Sequence, residues 1–195
     1  DVCSSDLGAN RVCRDLTFTG YANTLNMATF TLSSFRSVTL QANISSRITG
    51  TTGALQMAQT TGGTAASGTL TSNGGTFPLN FAGGSASVTI TLADNFTCSG
   101  NATINTGATY SGNTFSTNGN FTSQGGGSLA SSTTNFRMTG TGNLSLAGSC
   151  NMELNTSGTI TVVANMVSSR RFVITNVGTL NGLSSYNFTF IPSAA

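Results

Sequence analysis

Outside the first seven residues the chain has three carboxylates, Asp15, Asp94 and Glu153. Glycoside hydrolysis needs two such groups about 5–9.5 Å apart. If the chain stacks in turns of about 20 residues, Asp94 and Glu153 lie three turns apart, or ~14 Å. They then read as solvated loop charges. The chain has no His and no Lys. That removes Ser-His-Asp and Cys-His nucleophile activation, histidine metal sites and Schiff-base chemistry. A phosphate loop of the Gly-Lys type is also out of reach, and the Gly-rich turns lack the Asp of a calcium-binding β-roll. Cys13, Cys98 and Cys150 show no Cys-x-x-Cys spacing. The expectation is a protein with no catalytic residues, no cofactor and no metal. The enzymatic alternative is a β-helix polysaccharide lyase with Arg137 or Arg170 as base.

The residues that remain are hydroxyls and amides. Ser and Thr make up about 30% of the chain, while charged residues make up 6%, against roughly 25% in ordinary domains. Written in rows of twenty, the sequence keeps a Thr-x-Thr or Thr-x-Ser pair in one column. The pairs are Thr29/Thr31, Thr49/Thr51, Thr69/Thr71, Thr89/Thr91 and Thr109/Ser111. A second echo places Gly-Asn at Gly100-Asn101, Gly119-Asn120 and Gly142-Asn143.

The elements that must position these residues are strands. Segments such as SVTLQANIS, FPLNFA, SVTITLAD and TITVVANM alternate apolar and polar residues, the mark of strands with one buried face. Between them lie TGGT, SNGG, AGGS and QGGGS, which are turn chemistry. No segment keeps helical periodicity. A period near twenty with alternating strands predicts an all-β fold, a right-handed parallel β-solenoid with rungs of about 20 residues. In it Phe30, Gly50, Leu70, Ile90 and Tyr110 point inward and the flanking Thr pairs point outward. An antiparallel β-sandwich, such as a fibre subunit binding by strand addition, is the alternative. A disulfide between Cys98 and Cys150 would favour the sandwich, because residues two to three rungs apart exceed the ~7 Å Cα limit. Buried, unpaired cysteines are the expectation for a solenoid.

The Gly-Asn-x-Thr/Ser echoes, the period and the scarcity of charge resemble passenger regions of bacterial surface β-helix proteins, the filamentous-haemagglutinin-type and autotransporter adhesins. The resemblance spans roughly Thr29 to Ile174. It implies an exported, extracellular or cell-surface stalk, structural or adhesive, contacting a surface, a glycan or neighbouring chains. No functional residue is carried over by it. Columns of Thr-x-Thr also resemble the water-ordering face of solenoid antifreeze proteins, which implies ice as an alternative partner.

The seven arginines are scattered and the net charge is only +2, which argues against nucleic acid. No apolar run reaches the ~18 residues of a transmembrane helix. The opening DVCSSDL reads as a translated sequencing adapter, so residues 1–7 are expected to be non-native and 8–195 to form one β-rich domain of a longer protein. Without them the net charge is about +4 and three cysteines remain. On this reading the export signal has been lost by truncation.

Overall fold

The computed structural model describes residues 8–57, 67–84, 88–104, 109–123, 134–146, 150–168 and 170–190; the adapter-like opening lies outside them. The fold is an all-β solenoid of about seven turns with rungs of ~21 residues. Among the described residues every strand pairing is parallel and joins one turn to the next. The antiparallel sandwich is thereby excluded. Hairpin turns would be needed for it, and SNGG instead forms a corner between Gly68–Thr71 and Thr76–Phe77 of one turn, while TGGT, QGGGS and the end of AGGS lie outside the described residues.

Three faces run along the rod. The longest stacks Arg11–Cys13, Thr31–Ser34, Ala54–Met57, Asn80–Gly83, Ala102–Ile104, Phe121–Ser123 and Gly142–Ser145, then the second half of Asn151–Val162. A second face stacks Leu16–Thr17, Val38–Thr39, Gly68–Thr71, Thr89–Leu92 and Thr109–Gly112. A third stacks Thr76–Phe77, Phe96–Cys98, Phe115–Thr117 and Asn135–Met138, then the first half of Asn151–Val162. The strand Asn151–Val162 thus rounds a corner without ending and joins the first and third faces. Phe172–Asn181 follows it along its length, with register shifts at the corner.

Alternation along each strand sends every second side chain inward. On the first face Leu32, Leu55, Phe81, Ala102, Phe121 and Leu144 stack in register. On the second, Leu16, Val38, Leu70 and Leu92 do so, and Ile90 stacks on Tyr110. On the third the column is Phe96, Phe115, Phe136 and Met152. All of these are buried. The columns meet in the interior. Phe115 lies 5.0 Å from Phe81, 5.1 Å from Phe96 and 5.9 Å from Phe136, centroid to centroid. Such ring pairs add about 0.5–1.5 kcal/mol each beyond burial. Of the residues predicted to point inward, Leu70, Ile90 and Tyr110 are buried, Phe30 is half-buried against the core, and Gly50 is exposed just after the strand Ile48–Thr49.

The corner between the third and first faces carries a polar ladder. The Asn101 N–H donates to Asn80 Oδ1 at 2.8 Å. Asn120 donates to Asn101 Oδ1 at 3.0 Å, and Asn143 to Asn120 Oδ1 at 2.7 Å. Each amide satisfies the backbone of the next turn. The preceding glycines let the turns come this close. A Cβ on Gly119 would lie 2.7 Å from Asn101 Oδ1 and 2.8 Å from the Gly100 backbone. The Gly-Asn echo in the sequence is this corner.

Candidate functional site

Two outward surfaces carry polar groups in order. The first is the second face. Its outward column Thr69, Thr91 and Ser111 is in register over three turns, and Thr89 pairs beside it with Thr109. A further column is Thr17, Thr39 and Thr71. Successive turns lie ~4.8 Å apart and alternate residues of one strand about 6.7 Å apart, so the hydroxyls form a grid. The Thr91 and Ser111 hydroxyls are 3.3 Å apart, within hydrogen-bonding reach. The lower edge of the grid is tied to the backbone. Ser37 Oγ accepts from the Thr69 N–H at 3.1 Å, and Ser67 Oγ accepts from the Thr89 N–H at 2.9 Å.

Six of the ten residues in the predicted column lie on this face: Thr69, Thr71, Thr89, Thr91, Thr109 and Ser111. Thr89 and Thr91 pair with Thr109 and Ser111 at the predicted twenty residues, but one turn earlier the register is shifted by two, because Thr69 pairs with Thr91 and not with Thr89. The other four are elsewhere. Thr31 lies on the first face, where it pairs with Ala54, and Thr29 is in the turn before it. Thr49 pairs with Asn26 in a short two-stranded ladder. Thr51 lies in a turn, donating from both N–H and hydroxyl to the Ala28 carbonyl. Insertions cause the drift. Partners on the second face are 32 residues apart between Val38 and Leu70, but 20 apart between Thr89 and Thr109. Thr17 and Thr39 complete the grid. Alternation within SVTL marks Thr39 as outward, but nothing in the spacing ties it to Thr71.

The second surface is on the third face near the other end of the described rod. There the outward side chains change from hydroxyls (Thr76, Thr97, Ser116) to Arg137 and Glu153. Arg137 Nη2 and Nε lie 2.7 Å and 2.8 Å from Glu153 Oε2, and the Thr175 hydroxyl donates to Oε1 at 2.9 Å. The Arg137 side chain is 36% exposed and that of Glu153 19%. Partial burial would push the Glu153 carboxyl up. The hydrogen bonds from Arg137 and Thr175, with the charges of Arg137 and Arg171, outweigh it and hold the carboxyl below its ordinary value. Asn135 and Asn151 pair beside this ion pair. Arg171 follows Asn151 one turn on, since Met152 pairs with Phe172. Together they line an open cleft of about 240 Å³.

The remaining candidates have structural partners. Asp94 accepts the N–H groups of Ser72 and Asn73, each at 2.7 Å, and so closes a corner. Glu153 lies on a different face, so the two carboxylates serve separate places. Asp15 accepts from the Ser37 N–H at 3.2 Å. Cys13, Cys98 and Cys150 are free thiols. Burial pushes Cys98 and Cys150 up to about 12, hydrogen bonding at Cys98 only partly opposing it. Burial also raises Tyr110, whose hydroxyl finds no hydrogen-bond partner among the described residues. No group of three or more metal-ligating side chains occurs among the described residues, and no helix there is long and apolar enough to cross a membrane. Compared with protein-family models, curated proteins and solved structures, the chain finds no match.

Proposed function

We propose that the chain is a rigid structural or adhesive segment of an exported bacterial surface protein, acting through many weak polar contacts along one side of a rod. The observation that carries this reading is the hydroxyl grid of the second face, with Thr69, Thr91 and Ser111 in register over three turns. Each hydroxyl offers one donor and two acceptor positions and no net charge. A single contact of this kind is weak. A row of them on a stiff support adds by effective concentration, since engaging one turn holds the next close to its partner. Surfaces that present hydroxyls repeatedly, glycans foremost, have the matching chemistry. Retention of the purified chain on immobilised polysaccharides tests the reading. A Thr71→Tyr/Thr91→Tyr double variant should lose retention on neutral polysaccharides while keeping its melting temperature. Equal retention of the folded variant on every matrix would sink the proposal.

Ice is the second reading, favoured by the same grid. Ordered hydroxyls at two fixed spacings can template water in a lattice, and Thr91→Tyr would break the template. Thermal hysteresis of the folded chain decides between the two. Its absence removes ice and leaves the adhesive reading standing.

A further inference from the structure

The cleft on the third face differs in chemistry from the hydroxyl grid. Elsewhere along the rod, asparagines at turn boundaries spend their side-chain carbonyls on the next turn, as Asn80, Asn101 and Asn120 do. Asn135 and Asn151 make no such side-chain hydrogen bond among the described residues, and both line the cleft. Between them and the neighbouring column stands a fixed pair. Arg137 and Glu153 are joined through two nitrogen contacts, and Thr175 locks the second carboxylate oxygen. A guanidinium–carboxylate pair held in this way has little rotamer freedom left to lose on binding. Arg171 completes the group. Glu153 answers the charge of Arg137, and among the described residues no acid lies within 4.0 Å of the Arg171 guanidinium. The cleft therefore keeps one unneutralised positive charge.

We propose that this cleft binds a sugar unit bearing a carboxylate, such as a uronic acid residue of a polysaccharide. Arg171 receives the carboxylate, because a guanidinium fork matches its two oxygens. The amides of Asn151 and Asn135 meet ring hydroxyls. They stand one and two turns from Arg171, roughly 5 and 10 Å along the rod, the span of one to two pyranose rings. Half-buried Val173, two residues after Arg171 at the start of the strand Phe172–Asn181, offers the apolar contact that a sugar's C–H face needs. The site is separate from the hydroxyl grid, and neither proposal depends on the other.

Calorimetric titration of the full chain with trigalacturonate tests the assignment, with neutral cellotriose and sodium acetate as the other arms. Saturable binding of trigalacturonate alone is expected. Arg171→Gln should weaken it about tenfold or more, the loss of a charge-assisted pair, and Arg171→Lys should fall between the two. Thr91→Tyr should leave it unchanged. The variants' melting temperatures should match the parent, because Arg171 is exposed. The assignment is overturned by equal binding of cellotriose, by acetate binding as tightly as the sugar, by unaltered binding in a folded Arg171→Gln variant, or by no saturable binding at millimolar sugar. Loss of binding in Thr91→Tyr alone would move the site to the hydroxyl grid and overturn it equally.

Discussion

The side-chain oxygen of Asn101 accepts the backbone N–H of Asn120 at 3.0 Å, nineteen residues further along the chain. A side chain thereby does at the corner what a strand ladder does on the faces. Asn101→Ala removes the acceptor and should cost about 1 kcal/mol, whereas Asn101→Asp keeps it and should retain most of that stability. Urea denaturation of the three proteins reads the difference. An alanine variant as stable as the parent would show that water replaces the amide without loss.

Phe115 is the ring around which the interior is arranged, touching Phe81, Phe96, Phe136 and, at 6.3 Å, Tyr110. Phe115→Ala should destabilise by about 3–5 kcal/mol through lost burial and a residual cavity. Phe115→Leu should recover more than half of this. Thermal melts followed by circular dichroism would distinguish them.

Native Cys98 and Cys150 should resist a thiol reagent at pH 8. Both are buried, and their thiols are pushed up to about 12. Of the three described cysteines, half-buried Cys13, raised by burial and Asp15, should react first but slowly. Denaturant should release all of the thiols together. Rapid labelling of Cys98 in the native protein would contradict its burial.

Glu153 supplies an acid-side signature. Its carboxyl is held below the ordinary value in the folded state, so the unfolded state binds the proton more readily. The resulting stability is present above the unfolded value of about 4.3 and is lost as pH falls through the folded one. Glu153→Gln should therefore narrow its deficit against the parent between pH 6 and pH 3. The effect should be small, because the pair is partly exposed and salt screens it. A deficit that stays constant across that range would count against the ion pair.

Much of this architecture is legible in the sequence, and for a physical reason. Alternation in SVTITLAD or TITVVANM survives any change of rung length, since it depends only on the strand itself. The Gly-Asn echo also survives, because Gly119 and Asn120 answer to a close approach and a hydrogen bond that few other residues satisfy. The Thr columns are less legible. A ruler of twenty places Thr69 against Thr89, but varying corner lengths shift the pairing to Thr91. The same variation takes Thr29, Thr31, Thr49 and Thr51 off the grid. Hydroxyls tolerate this drift because they point away from the core. The Arg137–Glu153 pair could not be read at all. Its sixteen-residue separation is set by a short turn, whereas the Thr97–Ser116 step on the same face takes nineteen.

The unbroken stacking of turn on turn has a mechanical consequence. Each turn is bonded only to its two neighbours, so a pull on the chain ends loads one terminal turn at a time. Peeling away a turn of ~21 residues releases close to 70 Å of slack. A rod built this way should yield in repeated small steps, not in one rupture. Single-molecule stretching would record them as a sawtooth, with uneven teeth where the corners lengthen. For a segment that clings to a surface by many weak contacts, such yielding would spread a sudden load before any contact is torn free.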